Sequence, residues 1–132
     1  MNEQDGRQVR EDALPIRQKP DRALSLLGLA RKAGKLELGA DPAAEALQEG
    51  RACLLLLAAD LSPRSAGNAS QKARQARVPA LQVPWTMDRI GAALGKRSGI
   101  LAVCDGGFAG KLRDLLPEQA RSTEEESETY DD

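Results

Sequence analysis

Histidine is absent from this chain of 132 residues, and its aromatic side chains are Trp85, Phe108 and Tyr130 alone. The missing imidazole removes the usual general base and a favoured zinc ligand, so Ser–His or Cys–His catalysis has no base to build on. Three scattered aromatics cannot form the platform on which RRM and OB folds stack successive bases. Cysteine is equally scarce. Cys53 and Cys104 form no CxxC pair and sit in apolar runs, which predicts free, buried thiols and no zinc site. The longest apolar run, Ala52 to Ala59, is too short to cross a bilayer, and no apolar segment follows the N-terminal methionine. The expectation is a cytoplasmic protein without cofactor, metal or membrane partner, and not an enzyme.

The aliphatic residues that remain suffice for one small core. Charge is nearly balanced overall, at −1, but unevenly placed. Residues 1–20 carry four basic and four acidic groups with Pro15 and Pro20, and read as a disordered arm. Residues 21–116 carry fourteen basic against nine acidic groups; residues 117–132 carry one arginine against seven acids. That division predicts a moderately basic domain over 21–116 and a disordered acidic tail.

Within the domain the pattern alternates. A helix is expected from an Asp21 cap to Lys32, with Leu24 and Leu27 inward and Gly34 as its stop. A short strand follows at Leu36–Leu38. Asp41-Pro42 reads as an N-cap and first helical residue, opening a helix with Ala43, Ala46 and Leu47 inward that ends at Gly50. Ala52 to Ala59 is a strand covered on both faces. Ser62-Pro63 caps a helix over Arg64 to Arg77, and Ala80 to Val83 is a third strand. Thr86 or Asp88 starts a helix ending near Gly95, and Ile100 to Cys104 is a fourth strand. Asp105-Gly106-Gly107 turns into a last helix stopped by Pro117. This order predicts an α/β fold: a three-layer α-β-α sandwich around a small mixed four-stranded sheet.

Two places carry clustered cations. Arg31, Lys32 and Lys35 are expected close to the helix start at Gly39, Ala40 and Asp41, where free backbone N–H groups and the positive dipole end favour an anion such as phosphate. The plainer reading of the same cations is compensation of the first helix's C-terminal dipole. Lys96 and Arg97 lie on the loop that runs through Ser98 and Gly99 to Ile100, where two cations suit phosphate and glycine permits close backbone approach. Carboxylates on one helix face, Glu45 and Glu49, read as a solvated surface.

Three segments, Leu27 to Lys35, Gly50 to Asp60 and Cys104 to Leu112, together with the order of elements, resemble the L7Ae/L30e ribosomal-protein family, in particular its small bacterial members of the YlxQ type. The likeness covers about Arg22 to Leu116. It implies an L30e-like sandwich that binds kink-turn or related structured RNA, ribosomal RNA included, with ribosomal or translation-factor partners. It further implies an RNA site made of the Gly39 turn and the Lys96 to Ile100 loop. In that family a polar Asn-Glu pair follows the glycine, with a lysine three residues further on. Here the pair is Asp41-Pro42 and the lysine position is Glu45. The alternative reading is a protein-interaction module that kept the sandwich and lost kink-turn recognition.

Overall fold

The computed structural model describes the backbone of residues 15–116 and the side chains of residues 22–116. Its elements run α1 (Pro15–Lys32), β1 (Leu36–Leu38), α2 (Ala40–Gln48), β2 (Leu54–Leu57), α3 (Pro63–Gln75), β3 (Ala80–Gln82), α4 (Met87–Leu94), β4 (Ile100–Val103) and α5 (Gly106–Leu115). The sheet order is β1-β4-β2-β3. Strand β4 is antiparallel to both β1 and β2, while β2 and β3 run parallel. A parallel pair needs a crossover, and α3 supplies it.

Leucine alternation decides which layer each helix joins. Leu54, Leu56, Leu101 and Val103 face a core shared with Leu27 of α1, Ile90 of α4 and Leu112 of α5. Leu55, Leu57, Ile100 and Ala102 face the opposite core, with Ala43, Ala46 and Leu47 of α2 and Ala69 and Ala73 of α3. Every residue of β2 and β4 is buried, as expected for central strands with helices on both sides. The second core is walled largely by alanine, which lets α2 and α3 lie close to the sheet.

Caps fix three of the helix starts. Ser62 Oγ accepts from Ser65 N with Pro63 at the first position, Thr86 accepts from Arg89 N, and Asp105 accepts from Phe108 N. Two expected boundaries are corrected. Helix α1 begins at Pro15, so Asp21 lies inside it rather than capping it, and the last six residues of the expected arm are helical. Once the apolar turns from Ala23 onward are packed, each added residue extends an existing helix without a new nucleation cost. The rest of the arm, residues 1–14, the Pro117 stop and the acidic tail lie outside the described residues.

Helix α3 ends at Gln75, two residues before the expected Arg77. Arg77 instead takes φ 61°, the one non-glycine residue with positive φ among those described. The closure is complete there: Val78 N–H donates to Ala73 O at 2.8 Å and Arg77 N–H to Arg74 O at 3.0 Å. An L side chain in this conformation costs roughly 1–2 kcal/mol. Arg77→Gly is therefore expected to stabilise the fold by about 1 kcal/mol, read as a shift of the urea midpoint at unchanged slope. An unchanged or lower midpoint would mean that the arginine side chain makes up the strain elsewhere.

The cysteines also differ from expectation. Cys53 is exposed and Cys104 half-buried, though both are free. Strand β2 begins one residue after Cys53, so the apolar run is longer than the strand that it supplies. No helix among the described residues is long and apolar enough to cross a membrane.

Candidate nucleic-acid interface

Three chain turns meet at one end of the sheet. The β1-to-α2 turn joins the segment leading into β4 through Gly39 N–H to Ile100 O, 2.8 Å. The segment following β2 joins it through Ala58 N–H to Gly99 O, 2.9 Å. The start of α4 is tied to the same end by Met87 N–H donating to Asp60 Oδ1, 2.9 Å. Antiparallel pairing of β1 and β4 makes this convergence necessary, because β1 finishes where β4 starts.

Gly39, not Asp41, is the N-terminal cap residue of α2. Its φ of 113° and ψ of 160° suit glycine, and a Cβ there would meet Pro42 Cδ at 3.4 Å. Starting two residues earlier moves Pro42 to the third helical position, where its missing N–H still costs nothing because that group has no intrahelical acceptor. Ala40 and Asp41 are the first two residues of the helix and are exposed. No side chain caps α2, so its N-terminal turn presents backbone N–H groups at Ala40 and Asp41 beside the Asp41 carboxylate. Glu45 is exposed one turn further on.

The loop before β4 is built differently from a free cationic loop. Lys96 is exposed. Arg97 Nε makes an ion pair with Asp88 Oδ1 at 2.7 Å, and that hydrogen bond holds the guanidinium pKa above its ordinary value. Ser98 is buried, its hydroxyl donating to Ile100 O at 3.0 Å and accepting from Ile100 N at 3.4 Å. Gly99 lies under Leu61 and Met87, and a Cβ there would stand 2.7 Å from Leu61 Cδ1 and 2.9 Å from Met87 Sδ. Ile100 is buried in the α2–α3 core. The side chains of Ser98 and Ile100 are thus structural supports, and Lys96, Arg97 and the backbone are what the loop offers outward.

Arg31, Lys32 and Lys35 do not join this cluster. Lys35 stands at the start of β1 and its carbonyl accepts from Cys104 N–H, at the far end of the sheet. Four strand steps separate it from Gly39, about 13 Å at roughly 3.3 Å per residue. Arg31 is already committed: its Nη1 donates to Leu94 O, the last residue of α4, where a cation meets the negative dipole end. Lys32 and Lys35 remain exposed. The expected proximity to the α2 start fails because a strand, short as it is, carries the chain from one end of the sheet to the other.

Gly91 was not singled out by the sequence. A Cβ on it would lie 3.0 Å from Arg97 Cα and 3.2 Å from Arg97 N, so this glycine lets the loop backbone fold flat along α4. The available signal was a glycine in a helix interior, which costs about 1 kcal/mol relative to alanine and asks for a packing reason. Asp60 was legible only as a turn residue, and its tie to Met87 depends on two segments meeting in space.

Comparison with known proteins matches residues 21–113 to the ribosomal protein L7Ae/L30e/S12e/Gadd45 family. The RNA-binding protein YlxQ of Bacillus subtilis is 37% identical over 92 residues, covering 69% of this chain and 91% of that protein. The RNA-binding protein YlxQ of Enterococcus faecium is 27% identical over 95 residues, covering 72% and 91%. Among solved structures, a protein of unknown function from Bacillus halodurans superposes with a TM-score of 0.67 at 31% identity, over 72% of this chain and 96% of that one. A 15.5 kD RNA-binding protein of Giardia lamblia shares the fold, with a TM-score of 0.61 at 16% identity over 73% and 82%.

Proposed function

This chain belongs to the ribosomal protein L7Ae/L30e/S12e/Gadd45 family, and from that membership we propose that it is a cytoplasmic, non-enzymatic RNA-binding protein whose site is the end of the sheet where the Gly39 turn meets the Lys96 to Ile100 loop. The RNA-binding names of its relatives support the ligand class. The observation that carries the location is the Gly39 N–H to Ile100 O bond, which fixes the two segments that the family resemblance marks as one surface. The α2 amides at Ala40 and Asp41 offer donors to RNA oxygens, Lys96 and Arg97 offer charge, and Gly39 keeps the approach open.

The RNA is a kink-turn or a related internal loop, met in a ribosomal or translation setting. Asp41 accepts hydrogen bonds as the family's asparagine does, whereas Pro42 brings no side-chain polar group and Glu45 opposes phosphate. Recognition therefore rests more on backbone and shape than in relatives with the full polar set. The test is the Kd for a kink-turn RNA against the same RNA with its tandem G·A pairs disrupted. The expected result is at least a tenfold loss on disruption, about 1.4 kcal/mol or more. Equal binding to both RNAs, falling steeply with salt, would leave only electrostatic association and favour the reading of an interaction module that lost kink-turn recognition.

A further inference from the structure

Helix α3 carries a charge pattern that the proposed RNA site does not use. Residues 61–87 contain no aspartate or glutamate, and their cations are Arg64, Lys72, Arg74 and Arg77. All four are exposed. Arginines elsewhere are held within the fold: Arg31 by Leu94 O, Arg51 by Glu37 and Glu49, and Arg97 by Asp88. Among the described residues, the four cations of this stretch make no ion pair. Lys72 and Arg74 complement the negative end of α3, but Arg64 sits in its first turn, against the positive end. Dipole compensation therefore does not account for the pattern.

Ala69 and Ala73 are buried, so the opposite side of α3 faces outward. Arg64, Asn68 and Lys72 recur at every fourth residue and share a stripe, with Gln75 beside it. Each of these side chains donates hydrogen bonds and none bears negative charge. Asn68, Lys72 and Gln75 also line a groove between α3 and α2, with Arg64 one turn before Asn68. The opposite wall is Ala40, Ala44 and Gln48, which carry no charge. Asp41 and Glu45 stand on the neighbouring stripe of α2, about 100° round the helix. The groove opens at Ala40, beside the free α2 amides, and is therefore continuous with the proposed site. From there it follows α3 toward the far end of the sheet, where Leu55 N–H donates to Pro79 O at 2.9 Å. The 13 residues of α3 span about 20 Å.

Resting on the reading that RNA docks at the Gly39 turn, we propose that this groove, with Arg64, Asn68, Lys72 and Gln75, holds the phosphodiester backbone of a duplex stem leaving that turn. Two cations and two amides in a row suit the phosphates and 2′-hydroxyls of an A-form stem, which present the same chemistry whatever the sequence. The contact adds affinity and orients the stem without reading bases.

The test measures Kd across a salt series for a short-stemmed kink-turn RNA and for the same RNA lengthened on each stem in turn. The parent protein is expected to bind one lengthened RNA about tenfold more tightly than the short one at low salt. The double variant Arg64→Gln, Lys72→Gln is expected to bind the short RNA as the parent does and to lose that gain. Its slope of log K against log salt on the lengthened RNA is expected to fall by about 2. Arg74→Gln with Arg77→Gln removes the same charge from residues that do not line the groove, and is expected to keep the gain. No gain from either extension, a gain that the groove variant keeps, or one that both variants lose equally overturns the groove proposal; the Gly39 site survives, since the short RNA still binds. Failure of the parent to bind the short RNA, or binding unchanged when its G·A pairs are disrupted, instead overturns the Gly39 reading and the groove proposal with it.

Discussion

Gly91→Val is expected to destabilise the protein by about 2 kcal/mol, in the middle of the range for overpacking a well-filled site. The branched side chain has no room, since even a Cβ would stand 3.0 Å from Arg97 Cα. The atom in the way is backbone, and that backbone is held on both sides. Asp88 grips Arg97 through the 2.7 Å ion pair, and Ser98 is buried by its two hydrogen bonds with Ile100. At this size a loss of 2 kcal/mol lowers Tm by roughly 10 °C. Gly67 of α3 provides the control. A Cβ there meets nothing within 4 Å, so Gly67→Ala is expected to stabilise by about 0.5–1 kcal/mol through helix propensity alone. The same Gly91→Val change is expected to weaken RNA binding, because the loop that carries Lys96 and Arg97 must lift from α4. A variant with parental Tm and parental RNA affinity would show that the loop yields freely.

Glu45→Lys is expected to tighten RNA binding by about tenfold at low salt, and to steepen the dependence of log K on log salt by about 1 as one more phosphate is neutralised. Glu45 is exposed on α2, one turn beyond the amides of Ala40 and Asp41, and it occupies the position where the family places lysine. Reversal at this point removes a repulsion and supplies an attraction at the same spot. Glu49→Lys, one turn nearer the far end of the sheet, serves as comparison. Glu49 is bound to Arg51 at 2.7 Å, so its reversal is expected to change RNA affinity far less. Equal gains from both changes would indicate a general charge effect and would detach RNA binding from the start of α2.

Much of the fold was legible because its signals are local. The Ala52 to Ala59 run, the caps Ser62-Pro63 and Thr86, the turn at Asp105, and the inward positions Ala43, Ala46 and Leu47 each need only neighbouring residues to be interpreted. What failed depended on partners distant in sequence. Asp41 is a good cap residue by chemistry, yet the hydrogen bond from Gly39 to Ile100 starts the helix two residues earlier. Arg31 reads as a free cation until Leu94 O is seen beside it. Ser98 and Gly99 read as an open loop until the Ser98 hydroxyl is seen bonded to Ile100 and Leu61 and Met87 close over Gly99. Cys53 reads as core until the strand starts one residue later. The candidate site was legible in its segments and not in its assembly, because strand register determines which turns share an end of the sheet.

The central claim is that RNA docks at the end of the sheet formed by the Gly39 turn and the Lys96 to Ile100 loop. Backbone amide chemical shifts recorded while a kink-turn RNA is added test it most directly. The largest changes are expected at Gly39 to Asp41, Asp60 to Ser62 and Lys96 to Gly99, with Gly34, Lys35 and Cys104 little affected. Changes centred instead on Arg31 to Lys35 and Cys104, with the Gly39 turn silent, would place the RNA at the wrong end of the sheet and contradict it.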